Sequence, residues 1–175
     1  MNLQLLIDAF WFFLPAGIAN MSPVLANRLP VLRDWKTPID LGKKVDGHRI
    51  LGDNKTWRGL VFGSFMGGVT SGLVYLARHD GDWIVLAILI GAIMGLGALI
   101  GDAVESFFKR RRGIKPGNAW FPFDQTDYII GGLLFVAPIG LLTPGLILGV
   151  FLIYFVLHLI TSYIGYLLGL KDKPI

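Results

Sequence analysis

Four carboxylates, arranged as two pairs, are the side chains of this sequence best suited to chemistry. Asp102 and Glu105 form one pair, and Asp124 and Asp127 form the other. Residues three apart on a helix share a face, so each pair presents its oxygens in one direction if its segment is helical. Clusters made only of oxygen ligands suit a hard cation, and Mg²⁺ typically takes one or two carboxylates together with phosphate oxygens and waters. The pattern therefore predicts a Mg²⁺ site that handles phosphate.

Basic side chains accompany both carboxylate pairs. Lys109 follows Glu105 by one helical turn, and the polar segment 53–59, with the sequence DNKTWRG, lies directly before an apolar stretch. Lysine and arginine are the usual protein contacts for phosphate groups. We therefore expect the basic residues near the carboxylates to bind phosphate.

Some of these residues also have a simpler structural interpretation. The run 109–112 is typical of a positively charged anchor at a membrane surface. Asp124 has the residue type and position of a helix N-cap. Asp102 is harder to explain structurally, because it follows a long uncharged stretch. Three other acidic residues are predicted to be solvated loop charges that balance nearby lysines: Asp34, Asp40 and Asp46.

The composition indicates a membrane protein. Of 175 residues, 54% are hydrophobic and only 16% are charged, against about 25% charged residues in a typical soluble domain. The apolar content excludes a disordered chain. The absence of cysteine excludes disulfides, thiolate catalysis and cysteine-ligated metal sites.

The charges divide the chain into spans. Residues 9–27, 60–77 and 83–101 are uncharged, as is the longer stretch 128–170, which a Thr-Pro-Gly turn signal at 143–145 divides. We predict an all-α integral membrane protein with five transmembrane helices in a single domain, residues 1–175. The predicted spans are 4–27, 59–77, 83–105, 127–142 and 145–169, and the predicted cytoplasmic loops are 28–58 and 106–126.

Basic residues predict the orientation. Fifteen of the 16 lysines and arginines fall on one side: in the two predicted cytoplasmic loops and, as Lys171 and Lys173, in the C-terminal tail. By the positive-inside rule this side is cytoplasmic, which places the N-terminus outside and the C-terminus in the cytoplasm. Asp102 lies about 30 Å along its helix from the outer end of the third span, so it reaches the same boundary as Lys55 and Asp124. We therefore predict a site at the cytoplasmic face of the cell membrane.

Small residues recur in the second and third spans. Glycines four apart let helix backbones approach closely, which predicts tight helix packing, and a groove for a lipid chain is the alternative. The pairs are Gly63 and Gly67, Gly68 and Gly72, and Gly91 and Gly95.

Three motifs resemble those of the membrane cytidylyltransferases that make CDP-diacylglycerol from phosphatidic acid. The segment 55–59, KTWRG, resembles their KKTWEG motif, and the segment 101–110 resembles their GDLxESxxKR motif. Asp124 and Asp127 fall where their DRxD aspartates occur. The motifs occur in the family's order and cover about half of the chain.

Several departures from the bacterial pattern point to the archaeal branch of this family, which makes CDP-archaeol. Arg58 replaces the glutamate of the first motif, Gln125 replaces the arginine of DRxD, and residues 118–123 replace PGHGG. The chain also lacks the extra N-terminal spans of the bacterial and eukaryotic enzymes, and a short, five-span form resembles the archaeal branch. Its lipid substrate is 2,3-bis-O-geranylgeranyl-sn-glycerol 1-phosphate.

The resemblance implies a Mg²⁺-dependent transfer of CMP from CTP to a lipid phosphomonoester, with release of pyrophosphate. The partners that it implies are CTP, the lipid phosphate and membrane lipids. It does not imply binding of nucleic acid. The implied catalytic residues are Asp102, Glu105, Asp124, Asp127 and Lys55. Among them, the implied metal ligands are Asp102, Asp124 and Asp127. Glu105 is implied either as a further ligand or as a residue that positions the ligands. The implied substrate contacts are Thr56, Arg58, Ser106, Lys109 and Lys115.

Two other functions compete with this interpretation. A CDP-alcohol phosphotransferase is also a small Mg²⁺ membrane enzyme, and its signature needs two further aspartates on the same helix. Asp46-Gly47 begins like this signature, but the chain continues through Arg49 and Asp53 without that helical pattern. A small ion or lipid transporter would use buried carboxylates, yet transport favours charges near mid-membrane and an internal repeat.

Overall fold

The computed structural model describes residues 2–169, which form a helical bundle. The helices are α1 (Leu3–Ala26), α2 (Trp57–Arg78), α3 (Ile84–Arg111), α4 (Phe123–Val136) and α5 (Pro144–Leu167). A small antiparallel hairpin, β1 (Lys44–Val45) and β2 (His48–Arg49), lies between α1 and α2. The predicted basic tail residues Lys171 and Lys173 lie outside the described residues.

Four of the described helices, α1, α2, α3 and α5, are long and apolar enough to cross a membrane. α4 has 14 residues, about 21 Å at 1.5 Å per residue, which is shorter than the ~30 Å hydrocarbon core. The α-helix ends at Val136 because Pro138 has no N–H to continue the hydrogen-bond ladder, and a single 3-10 turn follows. Five crossings and the orientation of the termini therefore stay predictions.

The two helices nearest the predicted site extend beyond their predicted ends. α3 continues past residue 105 to Arg111, and α4 begins at Phe123 rather than at 127. Hydropathy marks where side chains leave the membrane, whereas a helix continues as long as its backbone is supported. The last turn of α3 is basic, which complements the partial negative charge at a helix C-terminus. The predicted loop 106–126 is therefore a loop of residues 112–122.

Glycines bring α2 and α3 into backbone contact. A Cβ atom placed on Gly67 would lie 2.6 Å from the carbonyl oxygen of Gly91, and one on Gly91 would lie 2.6 Å from that of Gly67. A Cβ on Gly95 would lie 2.8 Å from the Cβ of Ala19 in α1. There is no room for side chains at these contacts, so the prediction of tight packing is confirmed and these glycines do not line a lipid groove.

Gly91→Leu is expected to destabilise the bundle, because the new side chain must separate α2 from α3. Overpacking of this kind typically costs about 1–3 kcal/mol. Thermal unfolding in detergent measures the loss, and Val85→Leu, at an exposed position on α3, is the matched control. An unchanged melting temperature for Gly91→Leu would show that the two helices are not in contact there.

Two buried tyrosines connect α1, α4 and α5. The Tyr128 hydroxyl donates a hydrogen bond of 2.7 Å to the carbonyl oxygen of Tyr154, and the Tyr154 hydroxyl donates one of 2.5 Å to that of Phe10. Phe13 packs against both rings. These bonds satisfy the hydroxyls inside an apolar core and fix α4 and α5 against α1.

Candidate active site

Close contact between α3 and α4 brings the two carboxylate pairs together. A Cβ on Gly97 would lie 2.6 Å from the carbonyl oxygen of Gly131, and Gly101 lies directly against the backbone carbonyl of Asp127. With no side chain at these positions, α4 can approach the last turns of α3. Asp127 is therefore placed beside Asp102.

Three carboxylates converge at this contact. One oxygen from each of Asp102, Glu105 and Asp127 lies within 4.8 Å of the others. Like charges at this separation repel one another, so the arrangement favours a cation among them. The donors are all oxygens, as a hard divalent cation prefers. Glu105 is buried, and its Oε1 atom lies 3.1 Å from Nζ of Lys109. The cluster therefore fits Mg²⁺.

Asp124 lies at the edge of this carboxylate cluster and has other partners. One of its oxygens forms an ion pair with Lys109, and Oδ2 accepts a hydrogen bond of 2.6 Å from the backbone N–H of Trp120. The side chain thus fixes the turn before α4 without being the N-cap residue, which is Pro122. The predicted ligand set included Asp124, whereas the geometry groups Glu105 with Asp102 and Asp127.

Lys109 connects Asp124 to the carboxylate cluster. Its Nζ atom lies 3.1 Å from Oε1 of Glu105, one turn earlier on α3, and also pairs with Asp124 on α4. The lysine and Glu105 are buried and Asp124 is only partly exposed, so the lysine neutralises carboxylates that water solvates incompletely. Lys109 therefore holds the end of α3 against the start of α4.

Lys55 approaches the cluster from the start of α2. Its Nζ atom lies 2.5 Å from Oδ2 of Asp102, 47 positions away in sequence. The backbone around Lys55 is held by an extended pairing: its carbonyl accepts from the N–H of Ile39 at 2.8 Å, and the N–H of Trp57 donates to the carbonyl of Thr37 at 3.0 Å. The prediction that Lys55 and Asp102 share one boundary is thus confirmed by a direct contact.

The other predicted substrate contacts occupy different places. Thr56 is the N-cap of α2, where its hydroxyl oxygen accepts from the N–H of Gly59 at 3.2 Å, so its hydrogen is still available as a donor. Ser106 is buried on α3, one turn after Asp102. Lys115 is exposed in the loop after α3.

Arg58 was predicted to contact phosphate, but in the structure its side chain binds other parts of the chain. The side chain is buried and donates to the carbonyl oxygens of Leu32 and Arg33, each at 3.0 Å, and to the side chain of Asn27. Its guanidinium therefore ties the segment after α1 to the start of α2. The rigid fork of N–H donors in a guanidinium group can bind several carbonyl oxygens at once. The sequence alone does not reveal that the carbonyl groups of this turn lie within reach of Arg58.

Asp40 was predicted to be a solvated loop charge, and this prediction is wrong. The residue is only 7% exposed. Its carboxylate accepts hydrogen bonds from Arg49, at 2.7 Å, and from the backbone N–H groups of Gly42, Leu51 and Gly52. Burial alone would raise the pKa of Asp40, but these hydrogen bonds hold the pKa well below its ordinary value. Asp40 thus organises the loop that leads to Lys55.

Asp40→Asn is expected to loosen this loop and to lower the stability by about 1–3 kcal/mol, because Arg49 and the loop N–H groups lose a charged acceptor. Because the pKa of Asp40 is lowered in the folded state, its contribution is complete above about pH 4 and is lost as the pH falls below that value. Thermal unfolding and amide exchange across residues 37–55 measure the effect. The exposed neighbour provides the control, Asp46→Asn, and equal behaviour of the two variants would contradict the assignment.

Gln125 is a buried polar residue that sequence reasoning missed as a part of the site region. It is 1% exposed on α4, and its side-chain carbonyl oxygen accepts no hydrogen bond from the described residues. Its position between Asp124 and Asp127 could have indicated this, because Gln125 replaces the arginine of the DRxD motif there. Glutamine keeps donor capacity there without adding a charge.

Comparisons with known proteins show which proteins this chain is similar to. A protein-family model described as "CarS-like: CDP-archaeol synthase" matches residues 2–175. The CDP-archaeol synthase of Pyrococcus horikoshii is 37% identical over 178 residues, covering 99% of each chain. That of Methanopyrus kandleri is 42% identical over 171 residues, covering 94% of this chain and 90% of the relative. A solved structure described as "Structural insight into an intramembrane enzyme for archaeal membrane lipids biosynthesis" has a TM-score of 0.77 at 34% identity and covers 90% of this chain and 94% of that chain.

Proposed function

Because the chain belongs to the CDP-archaeol synthase family, we propose that it transfers CMP from CTP to 2,3-bis-O-geranylgeranyl-sn-glycerol 1-phosphate in a Mg²⁺-dependent reaction. Membership of the family makes the chain an enzyme of archaeal lipid synthesis and a CTP-dependent cytidylyltransferase. Our proposal adds three details to this family assignment: Mg²⁺ as the metal, the particular lipid substrate, and the cytoplasmic side of the membrane as the location of the site.

The carboxylate cluster supports the metal requirement. Asp102, Glu105 and Asp127 would hold the cation between α3 and α4, where their oxygens lie within 4.8 Å of one another. When bound, Mg²⁺ supplies positive charge that offsets the charge of the phosphates and of the leaving pyrophosphate.

The lysines beside the cluster supply the remaining positive charge. Lys55 and Lys109 are paired with carboxylates in this structure. We expect both ammonium groups to donate to phosphate oxygens of CTP when the carboxylates turn to the metal. Interactions of this kind lower the barrier because they are directed at the place where charge develops.

The reaction itself needs little proton transfer. An oxygen of the lipid phosphate attacks the α-phosphorus of CTP, a new P–O bond forms, and the bond from the α-phosphorus to its bridging oxygen breaks as pyrophosphate leaves. A phosphomonoester is already largely ionised near pH 7, so the chain does not have to provide a general base. Its residues position two anions and offset their repulsion.

Purified protein in detergent tests this proposal directly. We expect pyrophosphate and a CDP-lipid to form only when CTP, Mg²⁺ and the lipid phosphate are all present. A CDP-alcohol phosphotransferase would instead consume a CDP-lipid and release CMP, and a transporter would form no product. Absence of product with intact protein would overturn the proposed function.

The distribution of polar residues also supports a cytoplasmic site. The carboxylates and their lysines lie at the C-terminal end of α3 and the N-terminal ends of α2 and α4. Antiparallel neighbours place these ends on one face, which the positive-inside rule assigns to the cytoplasm.

In oriented proteoliposomes we therefore expect CTP to be used only from the face opposite the N-terminus. Protease accessibility of tags at each terminus provides an independent measure of orientation. Product formed from CTP supplied only on the side of the N-terminus would show that the proposed topology is wrong.

A further inference from the structure

A narrow groove lies between α1 and α5. Its volume is about 210 Å³, less than the roughly 300–1,000 Å³ of pockets that enclose a whole small molecule. The groove therefore fits a segment of chain better than a complete ligand. Most of its lining is apolar, from Phe10, Leu14 and Ile18 on α1 and Tyr154 and Leu157 on α5.

One end of this groove lies at the depth of the carboxylate cluster. A Cβ on Gly132 of α4 would lie 3.4 Å from the Cβ of Ala16 of α1, so Gly132 and Ala16 are at one level. Toward the carboxylate end, Asp127 lies about 7.5 Å from Gly132 and Asn20 lies about 6 Å from Ala16. Asn20 lines the groove. One end of the groove is therefore level with Asp127.

The same end carries the polar residues of the groove. α1 and α5 both run toward the end of the bundle that holds the carboxylates, so Asn20 on α1 and His158 and Thr161 on α5 lie nearer to the cluster than Leu14 and Phe10 do. By helical rise, Leu14 is about 9 Å deeper than Asn20. The groove is therefore polar beside the site and apolar toward the middle of the membrane.

Tyr128 connects the groove to the cluster. Its ring lines the groove and lies 5.5 Å from the ring of His158, measured between ring centroids. In sequence it directly follows Asp127, one of the three clustered carboxylates. The wall of the groove and the predicted metal site therefore share one turn of α4.

We propose that this groove holds an isoprenoid chain of the lipid phosphate and that the lipid enters the site laterally between α1 and α5. The polar end receives the glycerol phosphate, and the apolar end receives the chain as it runs into the membrane. The inference rests on the proposed function, because it assigns a place to that function's lipid substrate. It replaces the α2–α3 groove considered from the sequence, since glycine contacts close that interface.

Filling the deep end of the groove tests the proposal. Leu14→Trp should reduce kcat/KM for the geranylgeranyl substrate on the order of 100-fold, because a lipid displaced by about 1 Å is misplaced for transfer. A short-chain analogue whose chains end before Leu14 should react as it does with the unaltered enzyme, and KM for CTP should not change. The matched control is Leu152→Trp, at an exposed α5 position outside the groove, and it should keep full activity with both lipids.

A labelling experiment does not depend on how the variants fold. A lipid phosphate with a photoreactive group in its chain should label peptides of α1 and α5 in the unaltered enzyme. Labelling of α2 and α3 instead, or equal use of both lipids by Leu14→Trp, would overturn the proposed entry path. An unaltered enzyme that makes no pyrophosphate with either lipid would overturn the proposed function itself, which makes the two failures distinguishable.

Discussion

Asp102→Asn is expected to abolish CDP-lipid formation while leaving the fold intact. Asparagine keeps the volume of the side chain but loses the charge that a divalent cation requires. Asp102 is also the partner of Lys55, so the variant removes the negative charge from this pair while the asparagine oxygen can still accept a hydrogen bond from Lys55. We expect kcat to fall at least on the order of 10³-fold, the upper range for the loss of one charge-stabilising group. Pyrophosphate release measures this effect.

Thermal unfolding of Asp102→Asn separates a loss of chemistry from a loss of structure. The side chain is only partly buried, and removing one of three neighbouring negative charges relieves repulsion. We therefore expect a melting temperature equal to or above that of the unaltered protein. Asp34→Asn changes an exposed acid in the loop after α1 and is the matched control. Near-normal pyrophosphate release by Asp102→Asn would remove this residue from the site.

A metal-binding measurement distinguishes the two possible ligand sets. If the cation is held by the clustered carboxylates, Glu105→Gln should weaken Mn²⁺ binding, measured by electron paramagnetic resonance, more than Asp124→Asn does. The reverse order would favour the set that the sequence motif implied, with Asp124 as a ligand and Glu105 as its support. Binding of the metal alone makes this comparison independent of turnover.

Lys55→Ala is expected to raise KM for CTP on the order of 100-fold with little change in stability. The ammonium group lies 2.5 Å from Asp102, where it can donate to a triphosphate bound beside the cluster, and a charge-assisted contact of about 3 kcal/mol corresponds to that factor. Steady-state kinetics with varied CTP measures the effect. Lys55→Arg should recover part of the affinity, because it restores the charge with a different shape.

A lysine in the same loop provides the control for Lys55. Lys44→Ala removes an exposed charge from β1 and should leave KM for CTP unchanged. If Lys55 were only one of several topological anchors, the two alanine variants would behave alike. Unchanged CTP dependence in Lys55→Ala would therefore contradict its assignment to the site.

The sequence predicted the elements and their common boundary because those properties are local. An uncharged stretch long enough to cross a membrane requires an α-helix to satisfy its backbone, so four long helices follow from hydropathy alone. The rise per residue then brings Asp102 to the same end as Lys55 and Asp124, and the structure places Lys55 and Asp102 in contact. The motif order supplied the family in the same way, from linear spacing.

Local signals were insufficient where a residue's role depends on partners distant in sequence. Asp40 and Asp46 look alike in the sequence, yet only Asp40 is buried beneath Arg49 and the loop N–H groups. Arg58 was expected to contact phosphate, but it donates to the turn after α1. A charge is solvated or buried according to what the rest of the chain places over it, and no spacing rule contains that information.

The sequence by itself thus determined a helical membrane enzyme with carboxylates and lysines at one boundary, because helix rise, hydropathy and motif order depend on near neighbours. The tertiary structure alone decided which carboxylates meet. Gly97, Gly101 and Gly131 let α3 and α4 approach until Asp127 joins Asp102 and Glu105, while Lys109 holds Asp124 at the edge of the cluster. Electrostatic and metal-binding interactions act over a few ångströms, and at that scale only the packing of the two helices fixes the positions of their side chains.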